Sequence, residues 1–243
     1  MGADEKVLYT DNEFLVIDMT YAGRPARVLF TKDHIAAQSG IALDDKPEPL
    51  FDYNQRLLEV VESVRPSRIL LIGGGAYTWP KAVVQHFSGV HIDVIEPDIS
   101  LDAIATRFFG FEPDERLRII HQDGATFLET NTDMYDLIVI DAFNGIVVPE
   151  SLTTTQVIAH MRKRLHDNGT VAMNIVGSYW GRGGEGVRHC YDRFRSVFDS
   201  VAVYPADSKY SLWASQNFIL VARRRAAPLP TLRFTAIPPD SDR

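Results

Sequence analysis

The stretch Arg68-Ile-Leu-Leu-Ile-Gly-Gly-Gly-Ala-Tyr-Thr78 decides the fold. Ile69 to Ile72 is a short apolar run, which reads as a strand buried on both faces. Gly73, Gly74 and Gly75 follow at once, and Thr78 then caps a helical pattern through Lys81, Val83, Val84 and Phe87. Without Cβ atoms the glycines let the backbone turn sharply and approach a ligand, with the N–H groups that open the helix facing it. At the carboxyl edge of a first parallel strand, this is where doubly wound sheets bind nucleotides. The same glycines also suit a strand-to-helix turn that holds nothing.

Downstream the pattern alternates. Strands are expected at 69–72, 91–95, 117–121, 136–141 and 170–176, with helices near 78–88, 99–109, 124–129, 151–166 and 186–198. This spacing gives right-handed βαβ units and a mainly parallel sheet. Val201 to Tyr204 and Asn217 to Val221 are strands joined without a helix, which adds an antiparallel hairpin at the edge. The expected fold is therefore α/β, a doubly wound sheet of the class I S-adenosylmethionine-dependent methyltransferase type with a terminal hairpin.

Upstream, Val7 to Tyr9, Phe14 to Ile17 and Arg27 to Phe30 read as strands of a small N-terminal β-domain (residues 1–45), closed by Gln38-Ser39-Gly40. So few strands bury no core alone, so this sheet should pack on the main domain or pair with a second subunit, which makes a homodimer the expected assembly. Asp44 to Pro49 is a polar linker. Phe51 to Val64 is an amphipathic helix with Phe51, Leu57, Leu58 and Val61 on one side and Arg56, Glu59 and Glu62 on the other. The transferase domain runs over 46–223. Residues 224–243 are basic and then Pro-rich, as in a loosely ordered tail.

The 243 residues are 45% hydrophobic and 23% charged, enough for a sizeable core. A formal charge of −7 argues against nucleic acid or an anionic membrane as the partner. No apolar run is long enough to cross a bilayer and the start shows no leader-like core, so a cytoplasmic location is expected. The single cysteine, Cys190, excludes an intrachain disulfide and reads as a buried apolar side chain. The seven histidines lack metal-ligand spacing, and no metal is expected. No nucleophile elbow appears.

Three acids sit where the sheet would open its crevice. Glu96 ends the second strand, where a carboxylate accepts from both ribose hydroxyls. Thr78 occupies the place of a third glycine, against a dinucleotide. Asp123, in Asp123-Gly124, can accept from an adenine amino group. Asp141 ends the fourth strand, where it can hold a cation or act as base toward an amine. Each acid alone suits a loop cap as well as a ligand; all three at strand ends beside glycine turns favour a ligand site.

With these residues in place the chain resembles the spermidine synthase family of polyamine aminopropyltransferases, from about Tyr9 to Val221 and including the small β-domain. Gln38-Ser39 matches the family's Gln-Ser element, Tyr53-Asn54 keeps the tyrosine of its Tyr-His pair, Glu96 matches its ribose-binding acid, and Asp123-Gly124 its Asp-Ala or Asp-Gly. Asp141 matches the first Asp of Asp-Ser-(Ser/Thr)-Asp-Pro. The resemblance implies that Gln38, Gly73, Gly74, Gly75, Glu96, Asp123 and Gly124 bind decarboxylated S-adenosylmethionine or S-adenosylmethionine as co-substrate. It implies that Asp141 takes a proton from a small-molecule amine acceptor oriented by Tyr53, with Phe143 and Asn144 lining the acceptor pocket. Ala76 replaces the family's ammonium-gripping Asp, Asn144 an acceptor-binding Asp, and Gly145 a proline. A methyltransferase, or a nucleoside-binding protein without turnover, are the alternatives.

Two loops complete the reading. Ser151 is a cap for the helix after Asp141, and the loop from Phe143 to Val148 is either a gate over substrate or a plain connection. Tyr179 and Trp180, flanked by hinge glycines Gly181, Gly183 and Gly184, either cover a ligand or pack on the N-terminal domain.

Overall fold

The computed structural model describes residues 5–32, 37–44, 48–181, 184–207, 209–226, 228–230, 232–233 and 235–237. Gly183, Pro238 and Pro239 lie outside them. An antiparallel sheet of β1 (Lys6–Thr10), β2 (Phe14–Tyr21), β3 (Arg24–Thr31) and β4 (Ala37–Ala42) comes first, in that spatial order. Gln38, Ser39 and Gly40, expected only to close this sheet, are its fourth strand, paired to β3. The sheet packs on the larger unit: Val16 and Leu29 join the core of Leu57 and Val61, and Arg27 donates to the Phe108 carbonyl at 2.9 Å.

The second sheet holds β5 (Arg68–Ile72), β6 (His91–Ile95), β7 (Leu117–Ile120), β8 (Tyr135–Ile140), β9 (Leu165–Gly177), β10 (Ser200–Pro205) and β11 (Gln216–Arg223). Their order is β10-β11-β9-β8-β5-β6-β7. β5 pairs in parallel with β6 on one side and β8 on the other, so the connections reverse direction beside β5 and open a crevice at its carboxyl end. β11 runs antiparallel to both β9 and β10. This is the class I methyltransferase-like arrangement expected from the alternating pattern.

Period-two alternation divides the interior. Ile69, Leu71, Val94, Leu137 and Val139 face one core, with α1 (Asp52–Val64), α2 (Thr78–His86) and α3 (Ser100–Phe108). Leu70, Ile72, Ile138 and Ile140 face the other, with α4 (Gly124–Thr130), α5 (Thr155–Lys163) and α6 (Glu185–Arg195). Cys190 is buried in the second core.

Several local expectations give way. The helix read over 151–166 is a 3-10 turn, Glu150–Leu152, followed by α5, and the cap is Thr154, whose hydroxyl accepts from the Val157 amide; Ser151 caps nothing. β9 begins at Leu165, inside the expected helix, because Leu165 pairs with Tyr135. Arg56, expected on the polar side of α1, is buried and paired with Glu59 at 2.6 Å. The described tail residues are docked: Leu232 and Ile237 are buried, Ile237 donates to the Val203 carbonyl at 2.8 Å, and Tyr204 to that of Pro230. Apolar side chains spaced along the tail supply that anchorage in spite of its prolines. No helix among the described residues is long and apolar enough to cross a membrane.

Candidate active site

The turn after β5 meets a different element at each glycine. A Cβ on Gly73 would stand 2.2 Å from the Asp141 carbonyl oxygen after β8, and its φ of +96° independently favours glycine. The Gly74 amide donates to Glu96 Oε2 at 2.8 Å, joined by Gly75 at 3.4 Å. On Gly75 a Cβ would lie 2.5 Å from Ser39 Oγ, which accepts from the Ala76 amide at 2.9 Å. Three distant segments, β4, β6 and β8, are thus drawn together around one turn.

The helix start is built otherwise than expected. Tyr77, not Thr78, is the residue before the first helical turn, and it adopts a left-handed φ of 55°. Such backbone is costly for a bulky residue. The cost is offset by burial of its ring against Phe111 and by a bond from its hydroxyl to Asp102 at 2.6 Å. The amides of Gly74, Gly75 and Ala76, expected to face a ligand, are bonded to Glu96 and Ser39. Glu96 also accepts from the Asp98 amide at 3.0 Å through its other oxygen, so backbone donors hold both ends of a nearly buried carboxylate.

Around this turn lies a cleft of about 660 Å³, large enough for a nucleoside and a small second molecule. Gln38, Tyr53, Gly73, Gly74, Gly75 and Glu96 line it, and so do Asp123, Gly124, Asp141, Phe143 and Asn144, so the residues assigned from the sequence to co-substrate and acceptor share one cavity. Asp123 caps α4, its Oδ1 accepting from the Thr126 amide at 2.8 Å and hydroxyl at 2.9 Å. Capping and lining are here compatible, since both of those bonds fall on one oxygen. Gly124 packs against Ile72 at the end of β5, which brings α4 up to the turn.

Asp141 occupies the other side. Its Oδ1 accepts from Asn174 Nδ2 at 2.9 Å, and Asn174 Oδ1 in turn accepts from Asn217 Nδ2 at 2.9 Å. The Tyr53 phenol lies near the same carboxylate and acts on its charge. Burial pushes the Asp141 carboxyl up to about 6, against the lowering effect of those two groups. The Tyr53 phenol is raised well above its ordinary range, first by burial and then by the Asp141 charge. A phenol so raised stays protonated and donates. A carboxylate with a pKa near neutrality, held in place by Asn174, is equipped to take a proton from an amine.

Beyond Asp141, the backbone of Asn144 and Val147 bond reciprocally, at 2.8 and 3.2 Å, across a turn that passes Gly145 at φ 66°. Ile146 and Val147 stand exposed at the mouth of this loop. Ala76 is buried and is not among the cleft residues. Tyr179 and Trp180 fit neither expectation: Tyr179 is buried against Phe218 and Trp180 in the core of α4–α6, away from the N-terminal sheet and outside the cleft lining. Among the described residues no group of three or more His, Cys, Asp or Glu is placed to hold a metal ion.

Sequence reasoning passed over Asn174, Asn217, Asp52, Asp207 and Gln216, all of which line the cleft. Polar residues at 174, 216 and 217, at the ends of otherwise apolar strands, were the available signal. Asp52 stands immediately before Tyr53 and was hidden by its role as an acid in the first turn of a helix.

Similarity to known proteins points the same way. A polyamine aminopropyltransferase of Agathobacter rectalis is 31% identical over 176 residues, covering 70% of this chain and 60% of that protein. One from Vibrio vulnificus is 32% identical over 117 residues, 47% of this chain and 39% of that protein. These matches span only about two to three fifths of the relatives' length. In fold, a probable spermidine synthase from Corynebacterium glutamicum aligns with a TM-score of 0.73 at 20% identity, covering 90% of this chain and 80% of that one. Human methyltransferase-like protein 13, solved with SAH, aligns at 0.60 and 19%, covering 73% and 84%. The model of the spermine/spermidine synthase domain matches residues 51–220, from the start of α1 into β11 and across the glycine turn with the β6 and β8 ends that meet it, and the chain accordingly belongs to the spermine/spermidine synthase family.

Proposed function

We propose that this chain transfers an aminopropyl group from decarboxylated S-adenosylmethionine to an amine acceptor. The observation that carries this reading is Asp141: half-buried in the cleft, raised to about 6, and held by Asn174 directly beside the glycine turn. Glu96 and Asp123 hold the ribose and the adenine, and Gln38 closes the nucleoside from β4. The acceptor nitrogen, once deprotonated toward Asp141, attacks the propyl carbon next to the sulfonium. The new C–N bond forms as the C–S bond breaks; the electron pair stays on sulfur, giving methylthioadenosine. The sulfonium is already an activated leaving group, so alignment supplies most of the acceleration. A spermidine synthase solved in complex with the transition-state analogue AdoDATO shares the fold, with a TM-score of 0.69 at 19% identity over 91% of this chain and 74% of that one.

A second reading, methyl transfer from intact S-adenosylmethionine, keeps the same fold and nucleoside, and human methyltransferase-like protein 13 shares that fold. Product analysis separates them. Methylthioadenosine from the decarboxylated donor supports the first reading, and S-adenosylhomocysteine from the intact donor would replace it with the second. Nucleoside binding with neither product would leave a binding protein without turnover.

A further inference from the structure

Asp141, Asn174 and Asn217 stand in one row across three neighbouring strands. Val139, Ala172 and Ile219 face the first core from β8, β9 and β11. Asp141 and Asn174 come two residues after Val139 and Ala172, and Asn217 comes two residues before Ile219. All three therefore lie on that same face, because side chains along a strand repeat every second residue. Ile219 pairs directly with Asn174, which makes Asn217 the diagonal neighbour of Asn174. The row continues an apolar layer with polar side chains, and Asn174 is only 1% exposed. An amide buried this deeply must be satisfied at both of its ends.

An amide has a donating and an accepting end, whereas an ionised carboxyl only accepts. Asn174 therefore meets Asp141 through Nδ2, at 2.9 Å, and its Oδ1 is left facing β11, where Asn217 Nδ2 donates to it at 2.9 Å. Turned over, Asn174 would present its oxygen to Asp141, a contact that suits only the protonated acid. It would also bring two donating NH2 groups together at Asn217. Asn217 is half-buried and lines the cleft, but its printed bond is to Asn174.

The charge on Asp141 has little other help. Among the described residues that line the cleft there is no Lys, Arg or His. From α1, Tyr53 also lowers the carboxyl, while burial opposes ionisation. The other acids of the lining are Asp52, Glu96, Asp98, Asp123 and Asp207. Ionisation of Asp141 thus depends on neutral donors, whose direction is set by what they are bonded to in turn.

We propose that Asn217 is a positioning residue: by donating to Asn174 Oδ1 it fixes the amide of Asn174 with Nδ2 toward Asp141, and so holds Asp141 as a carboxylate ready to take a proton. Asn217 acts through Asn174 and not through the amine. This role rests on Asp141 being the proton acceptor, as proposed above.

The test follows the Asp141 carboxyl carbon by 13C NMR in the full chain without substrate, the signal being assigned by its loss in Asp141→Asn. Asn217→Leu keeps the size of the side chain and removes the donor, and should move the titration upward by about 0.5–1 pH unit, a roughly 3- to 10-fold change in ionisation constant. Asn217→Val, a residue suited to a strand, should give the same direction and serves if the leucine variant does not fold. Asn174→Leu should shift the titration at least as far, and adding Asn217→Leu to it should move it no further, because the two act as one unit. An unmoved titration in a folded Asn217 variant, or a further shift of the same size on top of Asn174→Leu, would overturn the proposal. Turnover is read separately, as the acid limb of kcat/KM, which should move with the titration. A shifted titration without methylthioadenosine formation sinks the reaction and keeps the positioning role. Turnover whose acid limb depends on Asp141 but ignores Asn217, with the titration equally unmoved, sinks the positioning role and keeps the reaction.

Discussion

At one end of the cleft, Glu96 is held by the amides of Gly74, Gly75 and Asp98, and the glycine turn is pressed against β4, β6 and β8 with no room for a methyl group. At the other end, Asp141, Asn174 and Asn217 are bonded in a chain through their side chains, and Gln216 and Asn54 carry oxygens without partners. Backbone donors are rigid and their geometry is inherited from the sheet. Side-chain networks can be exchanged one residue at a time. Substitution at the turn therefore disturbs the fold itself, whereas substitution in the side-chain network disturbs only its neighbours.

If that contrast is correct, damage to the turn should be global and damage to the acceptor end local. The largest effect is expected for Gly73→Ala, which meets the Asp141 carbonyl in backbone that disfavours a side chain; a urea melt should show a loss of ~3 kcal/mol or more. Next, Asp141→Asn should lower kcat by about 10²- to 10⁴-fold while methylthioadenosine affinity, measured by calorimetry, stays within about twofold. An equal loss of nucleoside affinity would erase the distinction between the two ends. Glu96→Gln should do the reverse, weakening the nucleoside by roughly 10- to 100-fold through loss of charge-assisted bonds.

The pH dependence sharpens the same contrast. Asp141 must be ionised to accept a proton, so kcat/KM should rise with pH through about 6, and Asp141→Asn should lack that limb. Its effect on stability has the opposite sign. With the folded pKa raised above the unfolded value, stability from the protonated form is complete below about pH 4 and is lost as pH climbs through about 6. Asp141→Asn should therefore be more stable than wild type at pH 8, by on the order of 1–2 kcal/mol in denaturant melts, and the gain should shrink by pH 4.

The smallest effect concerns His121, whose ring lies between the Glu96 carbonyl at 2.9 Å and Asp102 at 3.1 Å. Both neighbours are acceptors, so both ring nitrogens donate only in the imidazolium form, and these contacts raise its pKa. Stability from this contact is present below the ordinary histidine range and is lost as pH rises through the elevated value. His121→Gln should cost about 0–1 kcal/mol at pH 5.5, with the difference from wild type vanishing in alkaline melts.

The strands of the parallel sheet, the glycine turn and the three strand-end acids were legible because each is a local pattern with a local cause: apolar runs, missing Cβ atoms, and carboxylates following a strand. Tyr77 was not, because nothing near it in sequence announces a left-handed backbone; the compensating contacts come from Phe111 and Asp102. The start of β9 was read as helix because its partner, Tyr135, lies 30 residues earlier. Arg56 was placed outside because helical spacing alone cannot tell that a second layer covers it. Asp52 and Asp207 carried no motif; α1 and the turn after β10 bring both to the cleft.

From sequence alone, periodicity and turn chemistry determined a doubly wound sheet with a nucleoside-type crevice, because those features arise within a few residues of one another. Which amide oxygens are left without donors, and how Asp141 comes to be raised to about 6, were decided only in the tertiary structure. Burial and long-range pairing set these properties, and neither is written in any single stretch of the chain.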